Sequence, residues 1–338
     1  MKRSHDNEKG ISRRDFIVGT AKTIAGLSAL PIIGEGLLGA SAVLAAPSGS
    51  VVCLVQSKSP IPEGDAAKAV FSKMLEEGLK AIAKGADSNS FMKGLFNAKD
   101  KVAIKVNANT YKPNRGPQLA EAVCDRIRKA GVKAENIVIY ENSDIALKRA
   151  GYKLNHDKPG VKCYGNDHSG FMEKETVSGA CKTHFTKVLD RCTALVNIPV
   201  MKSHTMSGVT ICLKNHYGSI DNPRDMHTND CDPYIADLNT ADIIRKKHRL
   251  AVCDATKVLY AGGPEWMENW GLDYNGIFVS TDPVALDSVG AKIMAQMRKK
   301  SGKKPLPYNP APKKLKTAEK NGIGIADLNK IEFIQLTI

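Results

Sequence analysis

Short apolar runs alternate with longer segments of helical periodicity, and this alternation constrains the fold of the chain more than any other feature. A strand is predicted over 51–55, a helix over 65–83 and a second strand over 101–106. A helix over 117–129 and a strand over 136–140 follow. Such alternation implies right-handed crossovers and parallel strand pairing. The sequence therefore predicts an α/β fold with a mostly parallel open sheet and helices on both faces.

The same alternation continues to the end of the chain without an internal repeat or a convincing linker. Further strands are predicted over 161–164, 194–198, 249–253, 276–280 and 331–336. Further helices are predicted over 183–190, 235–247, 284–297 and 314–320. Residues 50–338 are therefore expected to form one large domain, since a chain of this length can bury a sizeable core.

The first residues are typical of an export signal. The segment 12–17 reads Ser-Arg-Arg-Asp-Phe-Ile, and a mildly apolar, glycine- and alanine-rich stretch follows it. Small residues around Ala45 suit a signal peptidase. We expect residues 1–45 to be a twin-arginine signal peptide that is read by the Tat translocase and places the protein in the periplasm or another extracytoplasmic site. A retained membrane anchor is the alternative.

The chain is basic, with 49 Lys and Arg against 35 Asp and Glu and a formal net charge of +14. Such a surface could attract anionic substrates or polymers. The basic residues are spread along the chain, however, and aromatic residues make up only 6%. Since no stacking platform or nucleic-acid motif is visible, no nucleic-acid partner is predicted. The oligomeric state is left open.

Eight cysteines follow the predicted signal, and none forms a Cys-x-x-Cys pair. An iron–sulfur cluster is therefore not supported by the cysteine spacing. Three cysteines lie inside apolar runs and are expected to pack as small hydrophobic side chains: Cys53, Cys212 and Cys253. The better disulfide candidates are Cys163, Cys181, Cys192 and Cys231.

Polar side chains follow four of the predicted strands. Asn107 and Asn109 follow one strand and Glu141 follows another, while Asp254 ends a third. The richest stretch runs from 197 to 218, where Pro199 is expected to stop regular pairing because proline has no N–H to donate. A parallel sheet brings such loops to one edge, so a single shared cleft is predicted there.

The stretch 197–218 holds groups that suit an anion. Lys202 and Lys214 can hold a phosphate or carboxylate, Asn215 supplies an amide, and His204 can move protons or bind a metal. Both lysines follow apolar residues, so burial is expected, and a buried lysine needs a carboxylate or a ligand as its partner. A small anionic ligand is predicted.

A metal ion is a second prediction for the same region. Imidazole and carboxylate groups can bind a transition metal. The predicted set is His204, His216, His227 and Asp254. Their spacing matches no established signature. Asp282 is predicted to cap the helix that follows it, and Asp287 lies one turn further along, where it could face the cleft.

Five motifs resemble one family. They are Lys-Val-Ala-Ile-Lys-Val-Asn at 101–107, Asn-Ile-Pro-Val-Met-Lys-Ser-His at 197–204, Gly-Val-Thr at 208–210, Leu-Lys-Asn-His-Tyr-Gly at 213–218 and Asp-Pro-Val-Ala-Leu-Asp at 282–287. Together they resemble the domain of unknown function 362 family over roughly residues 50–300. The resemblance implies a bacterial or archaeal source and often a twin-arginine signal. Some members carry ferredoxin-type cysteine motifs, which this sequence lacks. The shared motif positions are Lys105, Asn107, Lys202, His204, Lys214, Asn215, Gly218, Asp282 and Asp287.

Three functional hypotheses follow. In the first, the chain is an exported enzyme, redox or metal-dependent, that acts on a small anionic substrate. The catalytic residues would be His204, Lys202, Lys214 and Asp287, with Asp254 as an alternative partner for His204. The ligand-binding residues would be Lys105, Asn107, Asn215 and Gly218. In the second, a non-catalytic periplasmic protein binds the ligand and serves a redox partner. A surface-adhesion role carried by the basic face is a third alternative.

Overall fold

A computed structural model describes residues 49–109, 115–302 and 312–338 of the chain, together with the backbone of residues 42–44. The strands are β1 Ala42–Leu44, β2 Ser50–Gln56, β3 Val102–Val106, β4 Ile137–Glu141, β5 Lys162–Gly165, β6 Thr176–Ser178, β7 Cys181–Thr183, β8 Ala194–Ile198, β9 Val200–His204, β10 Gly208–Thr210, β11 His248–Leu259, β12 Gly271–Ser280 and β13 Ile331–Thr337. The helices are α1 Gly64–Ile82, α2 Ser88–Leu95, α3 Gly116–Lys129, α4 Asp144–Arg149, α5 Asn166–Ser169, α6 Lys187–Arg191, α7 Cys212–Asn215, α8 Tyr234–Thr240, α9 Asp242–Arg245, α10 Pro283–Lys300 and α11 Lys314–Lys320.

Eleven strands form one sheet, in the order β1-β13-β2-β12-β11-β8-β3-β4-β5, with β9 joining β11 and β10 joining β9. Neighbours from β11 through β8, β3 and β4 to β5 run parallel, and so do β13 and β2. The antiparallel pairs of the sheet are those of β12 with β2 and with β11, of β10 with β9, and of β1 with β13. The predicted α/β fold with a mostly parallel sheet is confirmed.

Helices cover both faces of the sheet, as a strand with two buried faces requires. In β2, Cys53 and Val55 pack into the core beneath α1, α2 and α3, whereas Val52 and Leu54 pack on the opposite side beneath α10. A third cluster, beneath α6 and α8, receives Ala103 of β3. Alternate residues of one strand therefore stabilise different layers.

Two helix boundaries follow the predicted capping chemistry. The Asp282 carboxylate accepts hydrogen bonds from the backbone N–H groups of Val284 and Ala285 at the start of α10. Gly131, just past the end of α3, has a φ of 109°, which a residue with a Cβ adopts only with strain. Both ends lie where the sequence predicts them.

β8 ends at Ile198 as predicted, and Pro199 belongs to neither strand, but the chain does not leave the sheet there. It passes directly from β8 into β9, which pairs in parallel with β11 and antiparallel with β10. Proline lacks only the donor: the Pro199 carbonyl still accepts a hydrogen bond from Asp254 N at 2.8 Å. Lys202 and His204 thus lie on a strand rather than in a loop.

Three further boundaries differ from the prediction. β11 continues to Leu259, so Asp254 lies in mid-strand rather than at a strand end. The helix expected over 235–247 is interrupted at Ala241, whose ψ of 129° is not helical. The helix expected over 183–190 begins only at Lys187, since β7 occupies Cys181–Thr183.

The predicted twin-arginine motif lies outside the described residues. The small-residue segment before the expected cleavage point is β1, an edge strand paired antiparallel with β13. Within the described ranges, every helix falls short of the length and apolar character needed to cross a lipid bilayer.

All eight cysteines are free and buried. The packing prediction for Cys53, Cys212 and Cys253 is confirmed, since each lies in a hydrophobic core. The predicted disulfide candidates are not paired; Cys181, for instance, is 3.0 Å from the Tyr234 carbonyl oxygen and 3.6 Å from Met226 Sδ. The fold is thus held without disulfide bonds.

Candidate functional site

A cavity of about 290 Å³ opens at the carboxyl edge of the parallel strands. Asn107 and Asn109 after β3 and Glu141 at the end of β4 contribute to its wall, as does the stretch from β9 to the end of α7. Three of the four strand ends that the sequence predicts to share a cleft therefore meet. The fourth, at Asp254, does not reach the cavity.

Lys202 and His204 line this cavity because they are two residues apart on β9, so that their side chains leave the same face of the strand. Thr210 of β10 pairs with Lys202 across the hairpin and lines the cavity too. The Lys-x-His spacing of the sequence is thus a strand period, not a loop arrangement.

Lys105 lies beneath the cavity rather than in it. Its side chain is fully buried, and its ammonium donates to the Val106 carbonyl at 2.7 Å and to Glu141 Oε1 at 3.0 Å. Burial lowers the pKa of Lys105, while the Glu141 charge opposes that shift. Lys105 is therefore committed to a buried ion pair and supports the site from below.

Gly218 is needed at its position because Lys105 approaches it closely. A Cβ at residue 218 would lie 2.7 Å from Lys105 Nζ and 3.1 Å from Glu141 Oε1. Contacts that short force the buried pair to move. Gly218 thus supplies space for the ion pair and part of the cavity wall.

Amide side chains connect this ion pair to the cavity. Asn215 Oδ1 accepts hydrogen bonds from Asn107 Nδ2 at 3.1 Å and from Lys105 Nζ at 3.4 Å, and Asn215 Nδ2 donates to Asn197 Oδ1 at 2.8 Å. Asn197 in turn donates to the Cys212 carbonyl at 2.9 Å. This network fixes α7 against β3 and β8.

Lys202 and Lys214 are the cations of the cavity wall. The Lys202 ammonium donates to the Asn109 carbonyl. Lys214 Nζ lies 3.0 Å from His227 Nε2 and 3.8 Å from the centre of the Tyr217 ring. Within the part of the chain that the structure describes, neither lysine has a carboxylate partner.

This environment disfavours the charged form of both lysines. Burial lowers the pKa of Lys214 to about 7, with Lys314 and Lys202 adding repulsion and Cys231 acting in the opposite sense. Burial likewise lowers the pKa of Lys202 to about 8. An anion in the cavity would offset this penalty.

His204 has one tautomer. Its Nδ1 accepts hydrogen bonds from the backbone N–H groups of Met206 at 3.1 Å and Ser207 at 3.3 Å, so the ring proton is on Nε2. Burial, with Lys214 the next cause, lowers the pKa of His204 to about 2. His204 is therefore a neutral hydrogen-bond donor. Coordination of a metal through Nε2 would require the proton to move to Nδ1 and break both backbone bonds.

The other two predicted histidine ligands have different surroundings. His227 lines the cavity, stacks 5.7 Å from the His204 ring and lies 2.8 Å from the Pro223 carbonyl through Nδ1. His216 is buried away from the cavity wall, between Asn197 and Ser219.

The carboxylates predicted to assist His204 act elsewhere. Asp254 Oδ1 accepts hydrogen bonds from the Thr256 backbone and hydroxyl within its own strand. Asp287 accepts from the backbone N–H groups of Cys212 at 2.6 Å and Leu213 at 3.2 Å, at the start of α7. Asp287 is thus a positioning residue for α7. In the described ranges, no three His, Cys, Asp or Glu side chains are arranged to hold a metal ion.

The sequence profile of the family described as domain of unknown function (DUF362) matches residues 102–292, which is more than half of the chain. The chain belongs to the DUF362 family. A comparison with curated proteins finds no match.

Two solved structures are similar to this DUF362 chain at low identity. A structural-genomics target from Thermotoga maritima is 10% identical with a TM-score of 0.42, covering 71% of this chain and 60% of that one. The lactate racemase apoprotein from Thermoanaerobacterium thermosaccharolyticum is 13% identical with a TM-score of 0.36, covering 71% and 56%. This chain thus matches less than two thirds of the length of either protein.

The DUF362 motif positions divide into two groups in the structure. Six line the cavity: Asn107, Lys202, His204, Lys214, Asn215 and Gly218. The other three do not line it: Lys105 pairs with Glu141, Asp282 caps α10, and Asp287 accepts from the start of α7.

The sequence gives no role to several side chains of the site. Glu141 is visible as a polar residue at a strand end, but its pairing with Lys105 is not. Lys314, at the start of α11, is buried and donates to the Val209 carbonyl; burial lowers its pKa to about 8, and the Asp287 charge opposes that shift. Because Lys314 belongs to a lysine-rich segment, nothing in the local sequence distinguishes it from an exposed lysine or predicts its burial.

Proposed function

We propose that the cavity binds a small organic anion through Lys202 and Lys214. The observation that carries the proposal is the burial of two cations in one cavity wall with no carboxylate partner among the described residues. Buried charges in proteins are ordinarily paired, because removing them from water costs several kcal/mol. A bound carboxylate or phosphate would supply the missing charge.

Neutral groups in the same wall favour a ligand with further polar atoms. The Thr210 hydroxyl and Asn107 Oδ1 are buried without a hydrogen-bond partner in the described part of the chain. The His204 Nε2–H group is a third, since it has no hydrogen-bond acceptor among the described residues. Since buried polar groups are normally satisfied, a ligand with both donor and acceptor atoms suits this wall. A volume of about 290 Å³ restricts it to a small molecule.

Calorimetry with oxalate and inorganic phosphate tests the proposal. Wild-type protein is expected to bind at least one of them, and Lys202→Met and Lys214→Met should each weaken binding by about tenfold or more, since a charge-assisted hydrogen bond contributes roughly 1.5–3 kcal/mol. Lys246→Met, which removes an exposed cation, is the matched control. Equal binding by all four proteins would contradict the proposal.

Export belongs to the same proposal. We propose that the segment 12–17 directs the folded protein through the Tat translocase to an extracytoplasmic compartment, where the cavity meets its ligand. The support is the Arg13-Arg14 pair followed by a weakly apolar stretch. Either an enzyme or a ligand-binding accessory protein of a redox partner would use the cavity in this way.

A further inference from the structure

Lys214 differs from the other buried lysines around the cavity in what its ammonium contacts. Lys105 pairs with Glu141, and Lys202 and Lys314 each donate to a backbone carbonyl. The contacts of Lys214 among the described residues are an imidazole nitrogen at 3.0 Å and the face of the Tyr217 ring. An imidazole nitrogen and an aromatic ring carry no full negative charge, so these surroundings can accommodate a Lys214 amine that has lost its proton.

His227 is placed to take that proton. Its Nδ1 donates to the Pro223 carbonyl at 2.8 Å, because a carbonyl oxygen can only accept. Its Nε2 therefore carries the lone pair, and that lone pair faces Lys214 Nζ. The arrangement is a base within hydrogen-bond reach of a nucleophile, and a third group orients the base.

Neighbouring cations act in the same direction. Lys314 and Lys202 both repel a charge on Lys214, and burial lowers its pKa to about 7. A substantial fraction of the Lys214 amine is therefore neutral near pH 7, where a solvated lysine is almost fully protonated.

We infer that Lys214 forms an imine with the carbonyl group of a small 2-oxo acid whose carboxylate is held by Lys202 and His204. The inference rests on the proposed anion site and adds the class of ligand. An anion site and a nucleophilic amine in one small cavity favour a molecule that has both a carboxylate and a carbonyl.

The step balances without an oxidant or reductant. The Lys214 ammonium gives a proton to His227 Nε2, and the amine attacks the carbonyl carbon. A C–N bond forms, and the carbonyl π electrons move to oxygen, which takes the proton back from His227. The resulting carbinolamine still carries two protons and the positive charge on its nitrogen. It loses its hydroxyl group and one of these nitrogen protons as water, which leaves the protonated imine.

Reductive trapping tests the inference. The full-length protein is incubated at pH 7 with pyruvate or glyoxylate and sodium cyanoborohydride, and labelled lysines are mapped by mass spectrometry. Lys214 should be labelled on the order of a hundredfold faster than the exposed Lys246, because more of its amine is neutral. A Lys214 rate no higher than that of Lys246 would overturn the inference.

Two further measurements connect the reactive amine to the cavity. Saturating oxalate should slow the labelling of Lys214 and leave the Lys246 rate unchanged, a comparison that needs no variant. His227→Gln should slow Lys214 labelling by about tenfold or more, since a positioned base contributes at least that much. If neither oxalate nor the His227→Gln substitution changes the labelling rate of Lys214, then Lys214 is merely a reactive side chain and the inference fails.

The two proposals fail in distinguishable ways. If oxalate binds in a manner that depends on Lys202 but Lys214 is not trapped, the anion site stands and the imine is excluded. If oxalate and phosphate do not bind and no trapping occurs, both are wrong.

Discussion

Lys214 is a lysine whose burial favours the neutral amine over the charged ammonium. In phosphate-free buffer at pH 7, Lys214→Met is expected to raise the free energy of unfolding by about 1–4 kcal/mol, because a methionine of similar size removes a buried unpaired charge. The pKa of Lys214 falls from 10.5 to about 7 on folding. The charge on Lys214 therefore destabilises the wild-type fold fully below pH 7, and this destabilisation vanishes as the pH rises toward 10.5.

Urea unfolding of both proteins between pH 7 and pH 9 measures this effect. The difference in the free energy of unfolding between Lys214→Met and the wild type should decrease by roughly 1.4 kcal/mol per pH unit in that window. Lys246→Met is the control for loss of an exposed cation. A difference that does not vary with pH would contradict the assignment of the unfavourable charge to Lys214.

Residue-scale prediction from the sequence reaches the side chains that line the cavity. Lys202, His204, Lys214 and Asn215 are recognisable because they are polar groups placed directly against apolar runs. The ion pair beneath them is not recognisable, since Lys105 and Glu141 are 36 residues apart and meet through the pairing of β3 with β4.

At the scale of the elements, α7 has four residues and depends on α10 for its position. The Asp287 carboxylate of α10 accepts from the first two N–H groups of α7. Asp287→Ala leaves both donors unsatisfied and should destabilise the protein by about 2–4 kcal/mol. It should also weaken oxalate binding, because α7 carries Lys214 and Asn215.

Thermal unfolding and oxalate calorimetry together check this prediction. Asp242→Ala is the matched control, since Asp242 is exposed at the start of α9 and its ion pair within the described ranges is with the surface residue Lys246. Its effect should stay within about 0.5 kcal/mol. An Asp287→Ala protein with unchanged stability would show that α7 is positioned by other contacts.

The Pro199 region shows that a correctly predicted strand end does not reveal which element follows it. Proline removes a donor, and that property alone predicts the end of a strand. The structure satisfies the remaining carbonyl from Asp254 N and continues into β9. Whether a partner strand lies beside a proline depends on topology, which local sequence does not contain.

At the scale of the whole molecule, β1 is the outermost strand and contributes three residue pairs to the edge of β13. A protein that begins at Ala46, as cleavage after Ala45 would produce, should keep the same fold and lose less than about 1–2 kcal/mol of stability. Removal of residues 331–338 should instead prevent soluble folding, because β13 pairs with β2 over seven positions.

Circular dichroism and urea unfolding of the two truncated proteins measure the contrast. Failure of the protein that starts at Ala46 to fold would show that the mature chain cannot begin there. Soluble, cooperative folding without residues 331–338 would show that β13 is dispensable.

The fold class is predictable at this scale, but the strand order is not. Alternating strands and helices indicate a parallel α/β sheet, and the parallel region from β11 to β5 agrees. The antiparallel β12 is not predictable, because a strand such as Ile277–Val279 is buried on both faces and presents the same pattern in either direction.

The eight buried thiols have a consequence for how this protein ages in an oxidising medium. Burial raises the pKa of Cys53, Cys124 and Cys163 to about 12, so the thiolate that reacts with oxidants is scarce while the fold is intact. Modification must then wait for the chain to open. The rate at which each cysteine reacts therefore reports how often the layer around it opens. Thiol modification would measure local unfolding separately in each layer of the molecule.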